Sequence, residues 1–415
     1  MTNIVITKTV ILSRIQMLSP LRRRNFALLM AGRTSSNMGR SMRVFARAWL
    51  VLELTGSPFL LGVVTASLAW STMFLPFFAG VLADRIDRRK ILLYTEFLLV
   101  VLWTAVSVDI WQGWVEWWHL MISAILSGII QSFGRTGHQA IIANLVTKDE
   151  LPRAIAIDSV AQHWPNAVGL LIATIIIGTI GVAGVFWITA FGQLITGVTL
   201  LLMHWEYSGP PEAASKSIRS NLTEGFKYIR GESVLLGLLL IGGAATLFGA
   251  ATQFLMPFFA RDILGVGAEG LGILLLSSTL GVSFGSVIVM SVASIPRRGL
   301  LLLGAVILGT LFRIGFSQSE MFYLSIVLVF GMGMFNTLRM TMVQMIMQLM
   351  APDHLRGRVM SLRVSMQGLS WIGVLALGAL AEFVGAATTV LIAAIVSGTV
   401  SLIIFASMRS LRDFR

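Results

Sequence analysis

The 415-residue chain is 56% hydrophobic and 12% charged, with a mean hydropathy of +0.85, a balance that excludes an ordinary water-soluble domain. Its net charge of +12 sits in short clusters between apolar runs, which argues against a nucleic-acid surface and for orientation in a membrane. With no cysteine, disulfides, thiolate metal sites and cysteine nucleophiles are excluded.

Residues 1–20 have no clean apolar core and no small-residue cleavage site, so a removed signal peptide is not expected. At roughly 20 apolar residues per span, the length holds about twelve spans and leaves no room for a soluble domain. Apolar runs bounded by charges place spans at 25–52, 58–83, 90–108, 119–142, 155–180 and 183–204. Further spans follow at 233–260, 267–293, 300–317, 321–346, 359–383 and 386–408. The expected organisation is a six-helix bundle over 1–204, a linker over 205–232 and a second six-helix bundle over 233–415. Within the linker, Leu222, Phe226 and Ile229 recur at helical spacing beside Lys227 and Arg230, as in a tether that ends in a short amphipathic helix on the membrane surface.

Cations fall on alternate loops: Arg22 to Arg24, Arg85 to Lys90, Lys148 and Arg153, Lys216 to Arg230, Arg297 and Arg298, Arg356 and Arg358, and Arg409 to Arg415. The opposite loops hold the single cation Arg261 among Glu53, Asp109, Glu116, Glu269, Glu320 and Glu382. Both termini are therefore expected on the cytoplasmic side. Residues 145–151 align with 349–355, and Leu61-Gly62 with Ser67 resembles Leu271-Gly272 with Ser277, at separations of 204 and 210 residues. Those separations are about half the chain, which points to a duplicated six-span unit.

Span 1 carries Arg33, Arg40, Arg43 and Arg47 at spacings of +7, +3 and +4, which places them within about 80° of one another on a helix. An arginine at mid-membrane costs about 2.5–3.5 kcal/mol on insertion scales, so the central ones should face water or carboxylates rather than lipid. If Glu96, Asp109 or Asp158 reaches the stripe, it holds helices in register instead. Between spans 2 and 3 lies Gly80-Val-Leu-Ala-Asp84-Arg85-Ile-Asp87-Arg88-Arg89-Lys90. This run resembles the signature loop of the major facilitator superfamily in Gly80, Asp84, Arg85, Arg88 and Arg89, with Asp87 standing where the family has its second glycine. Residues 52–58 and 355–361 resemble, more narrowly, the branch of transmembrane secretion effectors that includes enterobactin exporters.

The resemblance implies an all-α membrane protein of twelve transmembrane helices in two six-helix halves around a central cavity. It also implies a conformational latch formed by the loop residues with Gly357 and Arg358 at the start of span 11. Pro165 and Gly169 in span 5 correspond in part to an antiporter helix-packing motif, with Trp164 replacing its glycine. The family lines its cavity with spans 1, 4, 7 and 10. On span 4, Gln131, Arg135 and His138 share a face; span 7 offers Thr246 and Gln253, and span 10 offers Asn336 and Arg339. With Arg40, Arg43 and Arg47 these form the expected substrate cavity, with Trp70 or Trp164 as an aromatic wall. Guanidinium groups suit carboxylate, phosphate or catecholate oxygens, so an anionic substrate is expected. Proton coupling would need a titrating group, for which Glu96, His138, Asp158 and His163 are the candidates.

No Walker loop, His-Glu-x-x-His or Gly-x-Ser-x-Gly occurs, and the five histidines lack metal-ligand spacing. The chain is thus expected not to be an enzyme and to need no metal or cofactor. The reading is a proton-coupled exporter of a small anionic metabolite such as a siderophore, by antiport, in a bacterial cytoplasmic (inner) membrane. Its expected partners are membrane lipid, protons and that substrate; no nucleic acid is expected, and a monomer is. A drug efflux antiporter, an organic-anion uptake symporter and a non-transporting sensor or scaffold on the same fold remain as alternatives.

Overall fold

The computed structural model describes residues 19–83, 88–147, 150–203, 228–292, 298–408 and 411. Among these the long elements are all α-helical. The first six are α1 (Arg24–Thr55), α2 (Pro58–Ala83), α3 (Arg88–Trp111), α4 (Trp117–Leu145), α5 (Leu151–Ile180) and α6 (Val182–Leu202). The remainder are α7 (Ser233–Phe254), α8 (Gly267–Val292), α9 (Arg298–Ser317), α10 (Phe322–Met350), α11a (Asp353–Gly368), α11b (Ser370–Val384) and α12 (Ala386–Ser407). This is the twelve-helix membrane architecture expected from the apolar runs, and most boundaries agree within a few residues. Eight helical stretches are long and apolar enough to span, and shorter apolar helices occur at Pro58–Ser71, Trp117–Phe133 and Ser370–Val384. Helix α1 completes the set: its 32 residues suffice in length, but four arginines in its interior hold down its hydropathy.

Two departures from regular, unbroken spans occur, the first with a local cause. Beyond Leu255, α7 continues as the single turn Met256–Phe258 and a π-helical turn Phe259–Ile263. Pro257 in that stretch lacks the N–H a regular helix requires. The eleventh span is interrupted at Leu369, between α11a and α11b, rather than running unbroken. Helix pairs α5/α6 and α11b/α12 are each joined by one glycine, Gly181 at φ 83° and Gly385 at φ 82°, a conformation closed to residues with a Cβ. The two glycines lie 204 residues apart, the separation of the repeated loop segments, so this one-residue turn recurs at the same offset.

The chain divides into two compact units, 1–47 with 74–211 and 48–73 with 212–415. In the first, Phe26, Leu29, Leu92, Ala154 and Leu200 belong to one buried apolar cluster. A Cβ on Gly169 of α5 would stand 2.5 Å from the Met38 carbonyl of α1, so only glycine permits that approach. Arg23, beside the start of α1, pairs with Glu150 at 2.8 Å, and the Thr147 hydroxyl and N–H also donate to that carboxylate. Desolvation is the largest single influence and opposes these bonds, yet together they hold the Glu150 carboxyl below its ordinary range. Their contribution is therefore present at neutral pH and lost as the pH falls through the carboxylate range.

The second unit is built on Leu235, Leu238, Ile241, Leu302, Met342 and Ile346 with their neighbours. Tyr228–Gly231 is helical with Ile229 fully buried; the rest of the expected amphipathic helix lies outside the described residues. The turn between α1 and α2 is clasped at both helix ends. Ser57 Oγ and the Phe59 N–H donate to Glu382 at 2.8 and 3.2 Å, placing a carboxylate at the N-terminus of α2. Arg261, the exceptional loop cation, donates to the Leu52 carbonyl at 2.7 Å, near the C-terminal end of α1, and pairs with Asp262. Helices α8 and α10 cross through Gly281, Gly285 and Gly333 with backbone nearly touching backbone.

A Cβ at Gly281 would lie 2.1 Å from the Phe330 carbonyl oxygen, where no side chain can move aside. Gly281→Ala is therefore expected to cost about 1–3 kcal/mol of stability. Gly304→Ala, with nothing within 4 Å of its Cβ position, should leave the unfolding temperature of the purified protein unchanged. Equal shifts for both variants would refute the tight crossing.

Candidate functional site

The arginines of α1 divide according to what the first unit offers them. Arg33 meets Asp158 of α5 at 2.8 Å, and the Gln162 amide donates to the other carboxylate oxygen at 2.8 Å. This member of the stripe is thus neutralised by an internal ion pair. Arg43 and Arg47 lie deeper, at 4% and 6% exposure, and stack on the Trp103 ring of α3 at 4.5 and 5.7 Å from its centroid. Cation–π attraction strengthens as water is removed, to about 2 kcal/mol or more, and Trp103 is 1% exposed. Nη1 of Arg43 and Nε of Arg47 nevertheless have no hydrogen-bond partner. Arg40 is exposed.

Glu96 of α3 lies within Coulombic range of Arg43, although no ion pair forms within 4 Å. It is 4% exposed and accepts a hydrogen bond from the Gln193 amide of α6. A buried carboxylate, two buried guanidinium groups and an indole face are therefore drawn together from two helices, α1 and α3, with the Gln193 amide of α6 on the carboxylate. The protonation state of Glu96 sets how much of the positive charge on Arg43 is offset.

The second unit contains a different arrangement. An open-sided cleft of ≈ 380 Å³ runs between α7, α10 and α11a, with Leu239, Thr246, Arg339, Met340, Arg363 and Met366 on its walls. Arg339 Nη2 donates to Asn336 Oδ1 at 2.8 Å, one turn back on α10, and Arg363 Nη2 donates to Gln344 Oε1 at 3.1 Å. Arg363 Nε is buried without a hydrogen-bond partner. Arg313 of α9 leans on α7, where a Cβ at Gly249 would meet its Nη2 at 3.5 Å, and its charge opposes that of Arg339. The carboxylates of α7 to α12 are Glu269, Asp353 and Glu382, each near a helix end. None of the ion pairs among the described residues involves Arg313, Arg339 or Arg363.

Of the expected cavity residues, Gln131 is partly buried in α4 and Gln253 is exposed in α7. The Thr246 hydroxyl is bonded to its own helix at Gly242. The side chains of Arg135, His138 and His163 lie outside the described set. So do Asp84 and Arg85 and the side chains of Arg88 and Arg89; Gly80 and Gly357 are described only as helical backbone in α2 and α11a. Arg358 is partly buried in α11a, and Pro165 lies within α5. Trp70 and Trp164 are 44% and 61% exposed, and the aromatic surface against the arginines is Trp103 instead. Three polar residues escape a search of spans 1, 4, 7 and 10 alone: Arg313, Arg363 and Gln193. The two arginines were visible as charges inside the ninth and eleventh apolar runs; nothing in the sequence pairs Gln193 with Glu96.

The family model described as transmembrane secretion effector matches residues 15–413. The enterobactin exporter EntS of Shigella boydii serotype 4 (strain Sb227) is 25% identical over 368 residues, covering 87% of this chain and 86% of that one. EntS of Escherichia coli O139:H28 is 25% identical over 80% of each chain. Among solved structures, the nucleoside transporter NupG superposes with a TM-score of 0.73 at 12% identity, covering 93% of this chain and 99% of its own. A bacterial homologue of the lysosomal transporter Spinster gives 0.72 at 12% identity over 95% and 98%. At these identities the two structures establish the fold alone, which is the major facilitator fold.

Removing one member of the Arg33–Asp158 pair strands a largely buried charge, at a cost of about 3–5 kcal/mol. Arg33→Gln should accordingly lower the thermal unfolding temperature sharply, and Arg33→Gln combined with Asp158→Asn should restore part of the loss. If the double variant is as unstable as the sum of its single changes, the pair is not the coupled unit described.

Proposed function

The chain belongs to the transmembrane secretion effector family and is a multi-pass membrane transporter, and from that premise we propose that it exports a small anionic metabolite, coupled to the proton gradient. One observation carries the anionic substrate: Arg313, Arg339 and Arg363 sit within helices α7 to α12, whose carboxylates Glu269, Asp353 and Glu382 each lie near a helix end. An unpaired charge in a low-dielectric span is costly, so such a trio favours a ligand that brings its own negative charge. The two relatives named for enterobactin export make a polyoxygenated anion of siderophore type the first candidate. Broad export of lipophilic cations fits poorly, because those arginines repel them.

In this reading Arg40, Arg43, Arg47, Gln131, Arg135, His138, Gln253, Asn336 and Arg339 contact substrate, joined by Arg313 and Arg363. Glu96 is the coupling group, chosen over Asp158 because Asp158 is already committed to Arg33. Gly80, Asp84, Arg85, Arg88 and Arg89, with Gly357 and Arg358, form a latch between access states. The protein acts as a monomer in the bacterial cytoplasmic membrane with both termini inside, an orientation that its loop cations support.

A second reading, uptake of an organic anion together with protons, is favoured by the position of Glu96. Neutralising that carboxylate frees Arg43 for an anion, so that a proton and an anion would load together. Everted vesicles with an acidic interior separate the two by the sign of the proton movement. For an exporter, anion added outside should collapse the gradient, and Arg43→Gln, Glu96→Gln and Asp84→Asn should each abolish the collapse. Deepened acidification on adding the anion would indicate cotransport instead. A response to lipophilic cations with none to any anion would sink both readings.

A further inference from the structure

We propose that the cleft between α7, α10 and α11a is a binding site for an amphipathic organic anion, a planar oxyanion group carried on an apolar body, with Arg339 and Arg363 as the residues that set its specificity. The inference rests on reading the chain as an anion transporter and adds where the anion binds and what shape of anion fits. Both guanidinium groups open onto the same cleft, which is open on one side. Each is braced by a neutral amide, Asn336 for Arg339 and Gln344 for Arg363, at 2.8 and 3.1 Å. An amide orients a guanidinium group without cancelling its charge, so both forks remain cationic and directed. Arg363 Nε, buried and without a hydrogen-bond partner, is a donor in want of an acceptor.

The rest of the cleft determines what kind of anion this is. Its remaining walls are largely apolar, including Leu239, Val343, Met340 and Met366, and its one hydroxyl, on Thr246, is already bonded to Gly242. A small hydrated ion such as inorganic phosphate would lose its water against those walls without recompense. A carboxylate or paired phenolate on a ring or acyl chain satisfies both features: the oxygens meet the guanidinium forks and the body covers the methionines, whose flexible thioethers tolerate varied shapes. The same-sign charge of Arg313 near Arg339 adds to the demand for a negative group.

The full-length protein in lipid nanodiscs, titrated calorimetrically with 2-naphthoate, tests this. Naphthoate should bind, while 2-naphthamide, with the same body and no charge, and acetate, with the same head and no body, should each bind at least tenfold more weakly, as should inorganic phosphate. Arg339→Gln and Arg363→Gln should weaken naphthoate about ten- to a hundredfold, the worth of a charged hydrogen bond. Arg363→Lys, which keeps the charge and loses the fork, should recover only part of that affinity. Arg230→Gln, near the start of α7, should change nothing, and an unaltered unfolding temperature certifies each variant as folded. Equal affinity for naphthamide, acetate or phosphate, or unchanged affinity in folded Arg363→Gln, would overturn the proposal. Anion-driven proton movement that persists in Arg363→Gln vesicles would overturn it too, leaving the export reading intact. Naphthoate binding with the expected dependence, in a protein for which no anion moves protons, would uphold the cleft and defeat the export reading.

Discussion

An arginine inside an apolar helix has to be given a partner, and the architecture follows from how each such charge is accommodated. Three solutions coexist. Arg33 takes a carboxylate, Asp158, at 2.8 Å. Arg43 and Arg47 take an aromatic face, Trp103, which lowers the cost of burial without cancelling charge. Arg339 and Arg363 take neutral amides, which fix direction and leave the charge whole. The series runs from a charge fully spoken for to a charge still open, and that ordering separates structural arginines from those able to act on a ligand.

None of these placements survives loose packing, because a shift of an ångström at a guanidinium group changes its partner. The helices bearing them are drawn close by missing side chains. Gly169 lets α5 rest on the Met38 carbonyl of α1, the same helix pair that Arg33 and Asp158 join. Gly281, Gly285 and Gly333 do the same for α8 and α10, so the helix carrying Asn336 and Arg339 is held against its neighbour by backbone rather than by adjustable side chains. Rigid packing of this kind is what allows a few polar atoms to define a site in a mostly apolar protein.

The spans were legible because hydrocarbon thickness and backbone hydrogen bonding leave an apolar chain almost no other solution. Helix α2 begins at Pro58 and α7 at Ser233, as the charge breaks indicate, and the joining glycines at 181 and 385 echo the repeat seen at 145 and 349. The site was legible only in part. A stripe at +7, +3 and +4 establishes that Arg33, Arg40, Arg43 and Arg47 share a face, but which neighbour each meets depends on helix rotation and depth. Hence Asp158 took Arg33, Glu96 stayed near Arg43 without pairing, and Trp103 supplied the aromatic surface in place of Trp70 or Trp164. Arg313 and Arg363 were plain in the sequence as charges within apolar runs; the break at Leu369, which sets α11a apart from α11b, was not.

The first and the last six helices differ in charge, and that difference bears most directly on mechanism. Spans of the first unit hold arginines together with carboxylates, Glu96 and Asp158, so its charge balance can change by gaining or losing a proton. Helices α7 to α12 hold arginines in their interiors and carboxylates only near their ends. The two sets of spans thus differ in which kinds of group stand beside their arginines, carboxylates in the first and neutral amides in the second.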